Sequence, residues 1–172
     1  MSSIGGVFET EIQKVFTKLK ASHCLGWHRL SDTAAAGSVV AAQPSDYLVG
    51  LPPGSQSPLL GQRLMFVEVK ASEVETKLGK AMLRPAQRGA IHYFRLMLDI
   101  PYLVLFWSAS TGRIQMWDGL AIHGEGRMNK SHMLVEWDAC GTVNRLRHDA
   151  VAQYLADYFQ LPPAAATLAK VR

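Results

Sequence analysis

The segment LMFVEVK, residues 64–70, decides how the sequence is interpreted. Successive side chains of a β-strand point to opposite faces, so its odd-numbered apolar residues share one face and Phe66, Glu68 and Lys70 share the other. A carboxylate beside a lysine is costly to bury unless the two pair or bind a third group. The segment therefore predicts one of two structures: an edge strand whose Glu68 and Lys70 face water, or a buried strand that carries a functional acid.

The remainder of the chain predicts a mixed sheet with helices packed on it. Apolar residues spaced three and four apart indicate a first helix over about 6–21. A second helix is predicted from Pro85, which fits the first turn, to about residue 99, and a third from an Asn144 N-cap to residue 159. Strands are predicted at residues 26–30, 46–49, 64–70, 102–107, 113–117 and 132–137. The order indicates an α/β protein of one domain.

Composition excludes several classes of protein. Of the 172 residues, 48% are hydrophobic and 19% charged, which is enough apolar content for a packed core. The longest apolar run, residues 102–107, is too short to span a bilayer, and no signal peptide is predicted, so we expect a cytoplasmic protein without membrane contact. Its two cysteines, Cys24 and Cys140, make neither a disulfide framework nor a zinc site. The net charge of +4 is compatible with a polyanionic partner.

Asp46 is a candidate for the same site as Glu68. It begins the preceding strand, and a hairpin across the 51–63 loop would set it beside Glu68. Two carboxylates and a main-chain carbonyl would form a site that suits Mg²⁺, which prefers oxygen ligands. The alternative is that Asp46 only stabilises a turn after Pro44.

The first helix offers a third acid. Glu9 and Glu11 lie on opposite edges of its apolar stripe, and periodicity does not choose between them. Lys14 stands three residues after Glu11 as a surface partner, which leaves Glu9 as the better candidate for another role. A plain solvated acid explains Glu9 equally well.

The second helix combines an inward glutamine with a basic stripe. Gln87 shares a face with three apolar residues: Ile91, Phe94 and Leu98. Directly beside that face lie Arg84, Arg88, His92 and Arg95, and the preceding loop adds Lys77 and Lys80. Such a stripe suits a phosphate backbone that runs past an active site, or it is an ordinary solvated helix face.

Together these residues resemble the PD-(D/E)xK nuclease superfamily, with Asp46 and the Glu68-x-Lys70 pair as its core signature. More narrowly, the chain resembles the RecU-type Holliday junction resolvases. The matching pieces, in order, are GVFE at 6–9 with Ile12 behind it, SDY at 45–47 followed by Gly50, FVEVK at 66–70, and Gln87 at the start of the next helix. They cover roughly residues 5–107.

The resemblance implies a restriction-endonuclease-like fold, which is a mixed β-sheet flanked by helices in a single domain. We accordingly expect a nuclease domain over residues 1–161, with its catalytic core at about 5–107, and a flexible C-terminal tail over 162–172. The implied protein is a homodimer that binds a four-way DNA junction, or other branched or double-stranded DNA, and nicks opposing strands. Its setting would be the cytoplasm of a bacterium or of a virus-infected bacterial cell.

The resemblance also implies roles for individual residues. Mg²⁺, or Mn²⁺ in its place, would be held by Glu9, Asp46 and Glu68, with the Val69 carbonyl as a further ligand. Lys70 would orient or help deprotonate the attacking water, and Gln87 would position the nucleophile or a water on the metal. DNA would be bound by Lys77, Lys80, Arg84, Arg88 and Arg95.

Other functions remain open at this point. The 51–63 segment takes the place of the stalk that inserts at the junction centre in such resolvases, but it is short and rich in proline and glycine rather than basic. A second hypothesis is therefore another nuclease of the superfamily: restriction-like, an exonuclease or a flap nuclease. A third is a nuclease-fold module that binds DNA without catalysis, and three acids facing DNA argue against it.

Overall fold

A six-stranded sheet forms the centre of the protein. The computed structural model describes residues 3–22, 25–30, 43–55, 61–123, 128, 130–138 and 146–162. The strands are β1 (Gly26–Arg29), β2 (Tyr47–Gly50), β3 (Leu64–Ser72), β4 (Tyr102–Ser108), β5 (Arg113–Asp118) and β6 (Met133–Asp138). They lie side by side in chain order, and all neighbours are antiparallel except β3 and β4, which are parallel. All six predicted strands are confirmed.

Helices cover both faces of this sheet. They are α1 (Ile4–Ala21), α2 (Pro85–Ile91) and α3 (His148–Tyr158). The apolar stripe of α1 packs with α3 against one face, and Ile91 of α2 belongs to the apolar cluster on the other. The Ser3 hydroxyl caps α1 by accepting from the Gly6 N–H at 3.3 Å. The predicted Asn144 cap and residues 163–172 of the predicted tail lie outside the described residues.

β3 is a central strand, so the edge-strand alternative for residues 64–70 is wrong. It lies between β2 and β4, and Glu68 has no solvent exposure. The parallel pairing of β3 with β4 requires the chain to cross over one face of the sheet, and α2 lies in this connection. Every residue of β4 is buried, as its continuous apolar sequence predicts.

The second helix changes its winding after Ile91, which the sequence did not predict. Residues His92–Met97 form a π-helical segment, in which the Leu98 N–H bonds the Tyr93 carbonyl five residues back at 3.2 Å. The wider turn rotates the buried face. Leu98, predicted to face the core, is 48% exposed, whereas Arg95, predicted to be on the surface, is buried.

The two helical layers pack on one sheet, and the described residues therefore form a single domain, a mixed sheet flanked by helices, as predicted. Within the described part of the chain, no helix is both long and apolar enough to cross a membrane.

Candidate active site

The hairpin register sets Asp46 beside Glu68. Tyr47 pairs with Val67 across β2 and β3, and the residue before Tyr47 therefore lies opposite the residue after Val67. Asp46 is held there from two sides: its Oδ2 accepts from the Val69 main-chain N–H at 2.8 Å, and its carbonyl accepts from the Leu30 N–H at 2.9 Å. The predicted approach of the two acids across the hairpin is confirmed.

Glu68 lies at the centre of a buried polar group. Lys70 Nζ contacts its Oε1 at 2.5 Å, and Gln87 Nε2 donates to the same oxygen. The other oxygen, Oε2, is 3.5 Å from the Tyr102 hydroxyl. The Lys70 side chain remains 19% exposed, so the group reaches solvent at the lysine.

Burial raises the pKa of Glu68 to about 7, and the negative charge of Asp46 raises it as well. The ammonium of Lys70 acts in the opposite direction but does not cancel these effects. When both carboxyl groups are ionised, their two negative charges face the single positive charge of Lys70. A bound cation would offset the remaining negative charge.

Gln87 is fixed at both ends of its amide. It is the third residue of α2, and its Oε1 accepts from the main-chain N–H of Arg84 at 2.9 Å, which stabilises the start of the helix. Its Nε2 donates to Glu68. The predicted inward position is confirmed, and the contact joins the start of α2 to the Glu68 carboxyl.

Glu9 is not brought into a group of three acids. Its Oε1 lies 2.5 Å from Arg29 of β1, and its main-chain oxygen accepts from the Tyr47 hydroxyl at 3.3 Å. Among the residues that the structure describes, no group of three or more His, Cys, Asp or Glu side chains is placed to hold a metal ion. The structure thus places Glu9 against Arg29 rather than in one group with Asp46 and Glu68, and its metal role stays a prediction.

Glu11 has the surface partner that the sequence predicts. Lys14 lies 2.7 Å from its Oε1, and His148 at the start of α3 contacts its other oxygen. Glu11 therefore lies between Lys14 and the first residue of α3.

Four of the five predicted DNA-binding residues are accessible. Lys77 and Arg84 are exposed, and Lys80 and Arg88 are partly exposed. In the described part of the chain, no carboxylate lies within ion-pair distance of these four.

Arg95 does not belong to this set. It is 8% exposed, and its guanidinium forms two hydrogen bonds, of 2.9 and 3.0 Å, with the buried carboxylate of Asp118 and a third, of 3.0 Å, with Asp99. The prediction that Arg95 binds DNA is corrected, because the π-helical segment turns its side chain inward to a structural ion pair.

Sequence reasoning missed Tyr102. Tyr102 is the first residue of the apolar strand β4, and the sequence there predicts a core side chain. Its hydroxyl nevertheless contacts both Glu68 and the Pro44 carbonyl. Its position relative to Glu68 depends on the register between β3 and β4 across a long crossover, and local sequence carries no signal for that register.

The chemistry of the donors fits a divalent metal ion. Asp46 and Glu68 supply carboxylate oxygens, and the Val69 carbonyl is on the adjacent main chain. Mg²⁺ is commonly held by one or two carboxylates while it keeps several waters and binds substrate phosphate. Asp46 is only partly buried, which leaves access from solvent. Residues Asp46, Glu68 and Val69 thus form the candidate metal site.

Comparisons with known proteins add one structural likeness. No protein-family model matches the sequence, and no curated protein sequence matches it. Among solved structures, that of Hjc from Archaeoglobus fulgidus, a Holliday junction resolvase from an archaeal hyperthermophile, is similar at a TM-score of 0.43 and 14% identity. The match covers 83% of this chain and 98% of that one.

Proposed function

We propose that this protein is a metal-dependent DNA endonuclease of the PD-(D/E)xK type, with a restriction-endonuclease-like fold. More narrowly, we propose a Holliday junction resolvase that nicks opposing strands of a four-way junction. The observation that supports the chemistry best is the approach of Asp46 to the buried Glu68, with Lys70 on the same carboxylate.

The arrangement suits hydrolysis of a phosphodiester. Asp46, Glu68 and the Val69 carbonyl would hold a divalent ion, which would activate water for attack on phosphorus and offset negative charge on the phosphate. Lys70, at the solvent side of the pair, would donate a hydrogen bond to the attacking water or to a phosphate oxygen. Gln87 would keep Glu68 oriented, since its amide is tied to the start of α2.

The accessible basic side chains suit the phosphate backbone of DNA. Arg84 directly precedes the helix that carries Gln87, and its main-chain N–H donates to the Gln87 amide, whose other end donates to Glu68. Lys77, Lys80 and Arg88 flank Arg84 in sequence and remain accessible. Contacts of this kind neutralise phosphates and fix the strand, but they do not read base sequence.

Symmetric cleavage of a junction requires two active sites, so the proposal includes a homodimer. The surface that suits it is an apolar cluster on and after the π-helical segment, made of Tyr93, Leu96, Met97 and Leu98, which we call the π-turn patch. All four are about half exposed or more, and neighbouring exposed apolar side chains commonly mark an interface.

A cleavage assay tests the function directly. A labelled four-way junction and a linear duplex of the same sequence are incubated with the protein in Mg²⁺, in Mn²⁺ and in chelator, with Asp46→Asn as the inactive variant and Asp149→Asn as the control. Asp149 is an exposed acid on α3, paired with Lys18, and its loss leaves the acid pair intact.

Paired nicks near the crossover, lost in chelator and in Asp46→Asn but not in Asp149→Asn, are expected. Equal cutting of junction and duplex would retain the nuclease and reject the resolvase. Tight DNA binding without cutting in either metal would reject both and leave a DNA-binding module.

A further inference from the structure

We propose that Tyr102 is a positioning residue for the metal-binding acids, because its hydroxyl bonds the turn that carries Asp46 and lies next to Oε2 of Glu68. This inference rests on the proposed function. It concerns a residue that lies outside the sequence pattern of acids, lysine and glutamine on which that function is based.

The Tyr102 hydroxyl lies between the two segments that supply the acids. It donates to the Pro44 carbonyl at 2.5 Å and lies 3.5 Å from Oε2 of Glu68. A phenolic hydroxyl has one hydrogen, for which the Pro44 carbonyl and Oε2 of Glu68 are alternative acceptors, and the Pro44 contact is the shorter. Pro44 stands two residues before Asp46. One hydroxyl therefore links the Asp46 turn to the carboxyl group of the other acid.

The tyrosine ring has little freedom to move. Tyr102 is fully buried, and its ring lies 6.0 Å from the ring of Phe66, two residues before Glu68. The main chain is equally confined: a Cβ added to Gly119 would lie 3.0 Å from the Tyr102 carbonyl oxygen. Glycine at 119 thus lets the chain after β5 close against Tyr102, and the hydroxyl is held where it meets Pro44.

Hydrogen bonds from three parts of the sheet hold the segment that carries Asp46. The Leu30 N–H, directly after β1, holds its carbonyl, and the Val69 N–H of β3 holds its carboxylate. Tyr102 adds the attachment from β4 through Pro44. Without the hydroxyl, the Pro44 carbonyl loses its donor, and the turn can move Asp46 away from Glu68. Metal ligands depend on such outer hydrogen bonds for their orientation.

The test compares two buried tyrosines on opposite faces of the sheet. Tyr102→Phe removes the proposed contact and keeps the ring. Tyr47→Phe is the matched control, since that hydroxyl is also buried and donates to a main-chain carbonyl, that of Glu9. Mn²⁺ affinity is measured on the full chain without DNA by electron paramagnetic resonance of the free ion. Junction affinity in chelator and cleavage at subsaturating Mn²⁺ are measured in parallel.

We expect Tyr102→Phe to weaken Mn²⁺ binding roughly tenfold, with a similar loss in cleavage at subsaturating metal. Its junction affinity in chelator should equal that of the wild type. General loss of structure would instead lower both the Mn²⁺ affinity and the junction affinity. Tyr47→Phe should stay within about twofold in Mn²⁺ affinity. Unchanged Mn²⁺ affinity in a folded Tyr102→Phe protein overturns the inference and leaves the proposed function standing. A wild type that binds no Mn²⁺ overturns both.

A second measurement decides the matter if Tyr102→Phe does not fold. Wild-type protein labelled with ¹³C at the tyrosine ring carbon that bears the hydroxyl is titrated with Mg²⁺, and each of the 5 tyrosines is assigned by its Phe variant or by elimination. The Tyr102 resonance should shift with metal occupancy more than that of Tyr47. A Tyr102 resonance that stays fixed as metal binds contradicts the proposal.

Discussion

The main-chain N–H of Val69 donates to Oδ2 of Asp46 over 2.8 Å, so the backbone of the strand that carries Glu68 itself holds the second acid in place. Without this hydrogen bond, repulsion between the two ionised carboxylates would move Asp46 and Glu68 apart. The hydrogen bond occurs because β2 begins only at Tyr47, and the preceding carboxylate accepts where the strand pairing ends. The acid pair is therefore a consequence of where a hairpin ends, and its charge has measurable effects.

Stability without metal should fall as pH rises from 5 to 8. The pKa of Glu68 is about 7 in the folded chain against 4.5 as the ordinary value, so the folded state retains a proton that the unfolded chain has lost. The resulting contribution to the free energy of unfolding is fully present below pH 4.5 and is lost as pH rises through 7. It amounts to roughly 3 kcal/mol at most. Urea unfolding in chelator at each pH measures it.

Mg²⁺ should reverse this loss at pH 8 and have little effect at pH 5, because the ion binds the ionised carboxylates. Glu68→Gln is the control, because its amide cannot ionise. In this variant, both the Glu68 contribution to the pH dependence of the free energy of unfolding and the response to Mg²⁺ should disappear. A wild type whose stability follows the same pH dependence as Glu68→Gln in chelator would show that Glu68 ionises at its ordinary pKa.

Replacing Glu9 should cost less activity than replacing either member of the acid pair. Glu9 is neutralised by Arg29 at 2.5 Å, whereas Asp46 and Glu68 approach each other. We expect Glu9→Gln to lower the cleavage rate less than about tenfold, and Asp46→Asn to lower it more than about a hundredfold, since it removes a direct ligand. Single-turnover rates at saturating Mg²⁺ measure both, and equal losses would place Glu9 on the metal.

The strands and the acid pair follow from local sequence. A period of two over residues 64–70 predicts β3, and a short proline- and glycine-rich loop before it restricts β2 to a hairpin. That register alone brings Asp46 to Glu68. The local sequence does not determine whether β3 is an edge strand or a central strand. Glu68 is buried because the chain crosses through α2 and adds β4 beside β3.

The errors lie where partners are distant in sequence. Arg95 sits in a stripe that is basic by helical spacing, and only the change to π-helical winding turns it toward Asp118. The lysine near Glu11 favours Glu9 as the acid with another role, but Glu9 has its own partner, Arg29, on another element. Neither partner could be inferred from spacing along one helix.

Arg95→Met should destabilise the fold strongly. It leaves Asp118, 2% exposed, without the guanidinium that satisfies both of its oxygens, and breaking a buried pair on one side costs about 3–5 kcal/mol. The double variant Arg95→Met with Asp118→Leu should recover much of this loss. Urea unfolding provides the measurement.

Arg84→Met is the matched control for Arg95→Met, because it removes an exposed arginine from the same helical region. Its stability should change by less than about 0.5 kcal/mol. Its junction affinity should fall, and the salt dependence of binding should weaken by about one phosphate contact. A stable Arg95→Met protein with reduced salt dependence would instead return Arg95 to the DNA-binding surface.

The π-turn patch should hold two copies of the chain together. Leu96 and Met97 are apolar yet 50% and 65% exposed, and Tyr93, earlier in the same segment, is 55% exposed. Pairing around a two-fold axis would bury the same surface on each copy. A charge placed there would face the same charge on the other copy or be buried without a partner. Leu96→Glu should therefore convert a dimer at micromolar concentration to a monomer, as measured by light scattering.

Val74→Glu supplies the control, since Val74 is 80% exposed on the loop after β3 and lies outside the patch. It should remain dimeric. Leu96→Glu should still bind Mn²⁺, because the acid pair lies on other elements, and it should lose coordinated cutting of two strands while it retains single nicks. A wild-type chain that is monomeric with and without junction DNA would contradict the dimer. A Leu96→Glu chain that stays dimeric would place the interface on another surface.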